Sequence, residues 1–376
     1  MIWLAWQNSL LRPGRTLLII LAVAAILAEI LALEGFLAGS YWQLRQAVLQ
    51  RGDAVIVAQS GITNFFATRS ILPQQARSQV EAVSGVVSTH PLTALAAIYE
   101  SGSLRSPLIV LAYDDSGGPR QIETGRLPSE TGDIVVDLSL AKKFALDLGD
   151  RLTLSDYDFT IVGFARGETA LFTPFAFTNF DTLIDFYFNS DLASDIAAFP
   201  LLSFLVVDII PDANAQEMAD QISTHVAGVT AIPIETMARH DEKLGQELLG
   251  PILNLLLGLS YGVGALAIGL FTFAAVRGRR KSFGVLRALG FSVIDIGLSV
   301  TFEAVAWAIA AIPVGIVFAM AIARLIEALA PGYLLLVTEP KALIQTALIA
   351  MVLGVLGALL PLRMLIQLDP ASAFKD

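Results

Sequence analysis

Gly250-Pro-Ile-Leu-Asn-Leu-Leu-Leu-Gly-Leu-Ser-Tyr-Gly-Val-Gly-Ala-Leu-Ala-Ile-Gly-Leu-Phe-Thr-Phe-Ala-Ala-Val276, followed at once by Arg277-Gly-Arg-Arg-Lys281, decides the architecture of this chain. The run holds no charged side chain and exceeds the ~20 residues that cross a hydrocarbon core of about 30 Å as a helix. Two more long apolar runs follow it, Ile296–Ala323 and Ala342–Leu362, and one precedes it, Thr16–Phe36. Between the first run and the second lies a stretch of ordinary soluble composition. The sequence therefore predicts an α-helical membrane protein with four transmembrane helices, arranged 1 + 3, and an α+β extracytoplasmic domain between spans 1 and 2.

Composition supports this reading. Mean hydropathy is +0.68, and 55% of the residues are hydrophobic while only 15% are charged, against about 25% in a typical soluble domain. There is no cysteine, which excludes disulfides and thiolate metal sites. The first run could pass for a signal peptide, with Arg12 and Arg15 as its basic start. Its apolar stretch is longer than the usual one and no small-x-small cleavage site follows, so an uncleaved anchor helix is expected.

Charge sets the expected orientation. Arg12 and Arg15 precede the first run, Arg277, Arg279, Arg280, Lys281 and Arg287 lie between the second and third, and Arg363 and Lys375 follow the fourth. Short loops rich in Lys and Arg stay in the cytoplasm, which places both termini inside and the insert outside. Residues 40–249 hold 26 acidic and 13 basic residues. The acidity of the chain belongs to the insert, and it argues against nucleic-acid binding.

Within the insert, residues 54–58, 86–89, 104–113, 134–136, 152–154, 159–164 and 204–210 have strand patterns. Residues 73–83 and 214–225 have helical ones. Tyr41–Gln50 continues the first span as a stalk, and Met237–Leu249 is a second stalk entering the membrane at Pro251. Phe172, Phe175, Phe177, Phe180 and the segment Asp181–Phe188 are rich in aromatics; core filling is the plain reading, and an apolar contact surface the functional one.

Several motifs dissolve on inspection. Gly258-Leu-Ser-Tyr-Gly262 matches G-x-S-x-G, but it lies inside a span and lacks the strand–turn–helix context of a hydrolase elbow. Gly258 and Gly262 also form G-x-x-x-G, a pattern that lets helices approach closely, and they are candidate dimer contacts. His90, His225 and His240 have no metal-ligand spacing. No P-loop is present. His90 reads as a strand end before Pro91, and His240 lies with Arg239, Asp241 and Glu242 on what reads as a solvated stalk face.

Acids within the apolar runs are the remaining signal. At ~1.5 Å per residue, Glu29 lies roughly 21 Å and Glu34 roughly 28 Å from Arg15. Glu34 is expected near the outer headgroups, with Glu29 a turn or so deeper and Phe36 beside them. Glu303 is expected near mid-membrane, where an ionised carboxylate is costly and faces a bundle interior or a cavity. Hydrogen bonding within the bundle is one explanation of these acids; a substrate path through Glu29, Glu34, Phe36 and Glu303 is the other.

Three stretches in order resemble one family. Val276-Arg-Gly-Arg-Arg-Lys-Ser-Phe-Gly-Val-Leu-Arg-Ala-Leu-Gly-Phe291 is similar to a segment of pattern R-x-x-E-x-x-x-L-R-A-x-G, although the acid is absent and Ser282 or Phe283 stands near its place. Leu368-Asp-Pro-Ala-Ser-Ala-Phe-Lys375 is similar to a closing D-P-A-x-A-L-R. Ala5-Trp-Gln-Asn-Ser-Leu-Leu-Arg12 resembles a lead-in helix. Together with the 1 + 3 layout, they resemble the FtsX-like permeases of MacB-type (type VII) ABC transporters, of the compact kind typified by DevC and HrtB.

The resemblance implies a permease of the bacterial inner membrane, not itself an enzyme. Its implied partners are two cytoplasmic ABC ATPase subunits, which hold the ATP and Mg, and a second copy of the chain. A periplasmic adaptor and the lipid bilayer complete the expected partners. No cofactor is expected in this chain. The implied cargo is hydrophobic or amphiphilic, with haem, lipid or drug among the candidates. The rival roles are an FtsX-like mechanotransmission scaffold and a lipoprotein-extracting permease.

On this reading residues 1–15 are a lead-in, 16–39 the first span with its stalk to 50, 51–236 the insert domain and 237–249 the second stalk. Residues 250–276 are the second span, 277–291 the segment that docks on the ATPase, 292–323 the third span, 324–341 an outer loop, 342–362 the fourth span and 363–376 the tail. Arg277, Arg279, Arg280, Lys281, Phe283, Leu286, Arg287 and Leu289 are the expected ATPase-coupling residues. The apolar stripe of Phe283, Val285, Leu286 and Leu289 beside cations suits a short helix in a partner groove, or one lying on headgroups.

Overall fold

The computed structural model describes residues 13–66, 68–73, 75–190 and 202–366. The lead-in motif through Arg12 and the closing motif from Leu368 lie outside the described residues. The chain divides into two compact units. One comprises the N-terminal segment to Ala38, Leu249–Ile326 and the segment from Leu334; the other comprises Gly39–Leu248 with Glu327–Tyr333.

In the membrane unit, four long apolar helices are present: α1 (Pro13–Leu49), α6 (Ile234–Arg277), α8 (Val293–Leu329) and α9 (Pro340–Ile366). A 37-residue helix such as α1 is ~55 Å long, well beyond a ~30 Å hydrocarbon core. α1 and α6 therefore run on into the other unit without a break, and these extensions are the two expected stalks. Their packing core joins Val23, Leu27 and Ile30 of α1 to Ile268 of α6, Trp307 and Ala311 of α8 and Leu353 of α9. Small residues set the spacing. A Cβ on Gly357 would stand 2.6 Å from Ile268 Cγ2 and 2.9 Å from the Gly269 amide, so α6 and α9 meet there backbone to backbone.

One span limit differs from the expected bounds, and one start is fixed by a cap. α8 continues to Leu329, because Ala-Arg-Leu-Ile-Glu-Ala-Leu is made of strong helix formers although it is no longer apolar. The expected outer loop of 324–341 shrinks accordingly. At the other end, Ser292 and Asp295 form a capping box: Ser292 Oγ accepts from the Asp295 amide at 3.1 Å, and Asp295 accepts from the Ser292 amide at 3.1 Å. That start lies a turn before Ile296.

The insert unit is built on an 11-stranded mixed sheet. Its strands are β1 (Val55–Gln59), β2 (Val86–Ser101), β3 (Leu104–Tyr113), β4 (Ile122–Gly125), β5 (Asp133–Asp137), β6 (Arg151–Leu154), β7 (Tyr157–Ala165), β8 (Thr169–Ala170), β9 (Thr173–Asn179), β10 (Phe204–Ile209) and β11 (Val229–Pro233). The order is β11-β1-β10-β2-β3-β9-β5-β7-β4, with β6 on β7 and β8 on β9. β1 is apolar from Val55 to Ala58 because both faces are covered there. Val55 and Val57 face a core that includes Val80 of α2 (Ala76–Glu81) and Ile222 of α5 (Ala215–His225). Ile56 and Ala58 face Leu44 and Val48 of the α1 stalk and Met237 of the α6 stalk. A third core gathers Ile134, Val136, Phe159 and Phe186, with Leu140 of α3 (Leu138–Phe144).

The main difference from expectation is β2, which extends to Ser101 and pairs with β3 in a long hairpin. His90 is therefore inside a strand rather than at its end. Of the aromatic residues, Phe175, Phe177 and Phe186 fill cores, whereas Phe188 on α4 (Phe180–Asn189) is exposed. Pro73 and Gln75 do not join α2, which begins only at Ala76.

Candidate functional site

The basic segment folds as a separate helix, α7 (Arg280–Ala288). Phe283 is buried, and with half-buried Leu286 it packs on Val276 of α6 and on Ile296 and Val300 of α8. Arg277, Arg280, Lys281 and Val285 are exposed, as is Leu289 at 71%. The expected stripe thus divides by helical period: positions 283 and 286 hold α7 in place, while 285 and 289 present apolar surface among cations. Arg279 is turned away from that surface. Its Nη2 donates to Glu303 Oε2 at 2.6 Å, its Nε to the Ala275 carbonyl at 3.2 Å, and its guanidinium lies 5.5 Å from the Phe283 ring centroid.

The acids of the spans make side-chain contacts that counting along helices does not reveal. Glu34, 8% exposed, accepts from Tyr261 Oη at 2.9 Å and Thr346 Oγ1 at 3.2 Å, so its carboxylate faces the other spans of the bundle. Half-buried Phe36 follows it on α1. Glu29 is exposed and accepts from Ser260 Oγ at 3.0 Å. Glu303 pairs with a residue at the end of α6, because the first turns of α8 run beside α7. The bundle-facing expectation for Glu303 is met by this ion pair with Arg279. Gly258 and Gly262 are exposed, and an added Cβ would meet nothing within 4 Å at either. Ser260 also donates to the Leu256 carbonyl at 3.0 Å within α6, which is incompatible with a hydrolase elbow.

Sequence reading did not anticipate how firmly the stalks are keyed to the insert. Arg51, just after α1, is fully buried and ion-paired with buried Glu168. It also donates to the carbonyls of Gly117 at 2.7 Å and Ala47 at 3.1 Å, and its guanidinium lies 5.0 Å from the centroid of Phe177. Burial pushes the Glu168 carboxyl up, and the Arg51 charge pulls it back. On the α6 stalk, outside the spanning residues 250–276, Asp241 accepts from the amides of Phe65 at 2.9 Å and Phe66 at 3.3 Å and from Asn64 Nδ2 at 3.1 Å. Burial pushes this carboxyl up to about 7 against those donors. The solvated-face reading of Asp241 is corrected: it lies four residues after Met237, on the buried side of the stalk.

Arg45 of the first stalk pairs with Glu235 and Glu242 of the second. Glu327–Tyr333 joins the same unit, where Gln43 Nε2 donates to the Gly332 carbonyl at 2.9 Å and Phe172 stacks on Tyr333 at 4.3 Å. Phe172 stands in a two-residue hairpin turn with Leu171. Both have positive φ, 67° and 43°, a conformation costly for bulky side chains.

Among the described residues no group of three or more His, Asp or Glu side chains could hold a metal ion. Ser88, His90 and Asp208 do cluster, but Ser88 Oγ and Asp208 both meet His90 Nε2, at 3.2 and 2.9 Å. A hydrolytic triad requires them on opposite ring nitrogens.

Four long apolar helices, an α/β insert between the first two and a basic amphipathic helix after the second define a polytopic membrane protein. The family model described as MacB-like periplasmic core domain matches residues 16–225, more than half of the chain. The one described as FtsX-like permease C-terminal matches residues 254–370. The chain belongs to this MacB/FtsX-type family of ABC transporter permeases.

Similar proteins named "Uncharacterized ABC transporter permease" occur in Mycobacterium tuberculosis (strain H37Rv) and Mycobacterium bovis. Each is 25% identical over 377 residues, covering 100% of this chain and 99% of the relative. Among solved structures, the periplasmic region of MacB from Actinobacillus actinomycetemcomitans matches 51% of this chain and 94% of its own at 15% identity, with a TM-score of 0.35. The extracellular domain of the noncanonic ABC-type transporter YknZ from Gram-positive bacteria matches 48% and 98% at 9% identity, with a TM-score of 0.34. The protein is a multi-pass membrane permease, and an ABC transporter permease implies a separate ATPase subunit.

Proposed function

We propose that this chain, as a homodimer with two ATPase subunits, converts ATP-driven movement of α7 into work by the insert on a hydrophobic or amphiphilic cargo such as haem, lipid or drug. The observation that carries the reading is the keyed stalk. α1 and α6 are unbroken from the spans into the insert, and Arg51–Glu168, Asp241 and the Arg45 clasp tie them to it. A displaced helix then moves a domain rather than bending a linker. The open face of Gly258 and Gly262 suits a second copy of the chain. Glu29, exposed on α1, suits a cationic or metal-bearing group entering from the side. A periplasmic adaptor would bind the insert.

The same keyed stalks suit an FtsX-like mechanotransmission scaffold or a lipoprotein-extracting permease, and transport separates these roles. In proteoliposomes containing the full complex, ATP-dependent movement of haem or a labelled lipid is expected. ATP-driven change in the insert without any such movement would favour the scaffold.

The termini are inside and residues 40–249 outside in this reading. In the cysteine-free chain, Ser103→Cys in the exposed hairpin turn should react with an impermeant thiol reagent in intact, outer-membrane-permeabilised cells, and Ser282→Cys should not. The opposite labelling pattern would reverse the orientation.

A further inference from the structure

We propose that Glu303 is a positioning residue for the coupling helix: it holds Arg279, and through it α7, at the angle at which the ATPase is engaged. This rests on the reading of α7 as the coupling helix. Arg279 sits where three helices meet. Its Nε bonds the carbonyl of Ala275 in the last turns of α6, its guanidinium faces Phe283 of α7, and its Nη2 bonds Glu303 of α8. The side chains of Arg279 and Glu303 are only 19% and 5% exposed, and theirs is an ion pair within the membrane unit.

The geometry is that of a pin. α6 ends at Arg277 and α7 starts at Arg280, so the two helices are joined by Gly278 and Arg279 alone, a corner whose glycine leaves the backbone free to swing. Apolar packing of Phe283 and Leu286 on Val276, Ile296 and Val300 is non-directional and would allow α7 to roll. A short, charge-assisted hydrogen bond to a fixed carboxylate would not. A second cation adjoins the corner: Arg15 Nη1 of α1 lies 3.4 Å from where a Cβ would stand on Gly278. The acid absent from α7 itself is thus supplied from α8. Removing it leaves Arg279 buried without its counter-charge, so the side chain must leave the junction or draw in water.

The test uses the full cysteine-free chain with its ATPase subunit, in nanodiscs. Spin labels at Leu17→Cys and Ala288→Cys, both exposed, report the distance from α1 to the end of α7. Glu303→Gln is expected to broaden that distance distribution and to lower permease-stimulated kcat for ATP hydrolysis at least tenfold, with KM for ATP unchanged. The reversed pair Arg279→Glu/Glu303→Arg should narrow the distribution again and recover most of the stimulation. A narrow distribution in Glu303→Gln would overturn the proposal, whether or not stimulation falls. A broad distribution with full stimulation would keep the pin and remove α7 from coupling. If Glu303→Gln does not assemble, the reversed pair decides: restored order supports the pin, and persistent disorder refutes it.

Discussion

Glu168→Ala is expected to destabilise the insert by about 3–5 kcal/mol, the usual consequence of leaving a buried charge without its partner. Arg51 would remain fully buried, still held by the carbonyls of Gly117 and Ala47 and by the Phe177 ring, none of which neutralises it. A guanidinium does not escape by losing its proton. The alternative is local opening of the segment that carries Glu168, which also donates its amide to Asp137 at 2.8 Å. Chemical denaturation of the full chain, followed by the fluorescence of Trp42 on the first stalk, would measure the loss. The double variant Arg51→Met/Glu168→Leu, which removes both charges and keeps volume, should recover most of it. If Glu168→Ala unfolds at the parent's denaturant concentration, the pair is not the key that joins stalk and insert.

Val285→Asp with Leu289→Asp is expected to abolish permease-stimulated ATP hydrolysis, a loss of tenfold or more, while membrane insertion and thermal stability stay at parental values. Both side chains are exposed at 45% and 71%, so the substitutions leave the packing of Phe283 and Leu286 intact. They place two carboxylates among Arg280, Lys281 and Arg287, and an apolar groove in the partner would have to accept buried charge. Phe283→Ala makes the opposite comparison, since it empties the seat of α7 and should lower stability as well. Unchanged stimulation in the aspartate double variant would mean that α7 does not dock on the ATPase and that its apolar face lies on headgroups instead.

Much of the architecture was legible because the signals are local and large. An apolar run of more than 20 residues has few fates, and four of them with a soluble stretch between the first two leave one layout. Caps and periods placed α5, whose Asn214 accepts from the Gln216 amide at 2.9 Å, and the hairpin strand β3 at Leu104–Tyr113. The amphipathic basic helix was legible as well. Strands between Asp114 and Phe180 were less so: β4 is short and mostly exposed, and β9 reads as an aromatic patch until its neighbours β3 and β5 are known.

The site was legible in its residue types and not in its pairings. Arg279 and Glu303 were both singled out, yet for different roles, because 24 positions of sequence carry no sign that the corner after α6 brings them together. Arg51 and Glu168 are 117 positions apart, and each alone reads as a solvated charge on an acidic domain. Glu34 and Glu29 were ranked by depth along one helix, whereas their surroundings depend on which side of α1 the other spans cover. Hydrophobic length, helical period and charge bias act within a few turns of chain, so the sequence alone determined the spans, the insert and the cationic helix. Which buried charge faces which depends on long-range packing that sums weak contacts over the whole fold, and only the tertiary structure decided it.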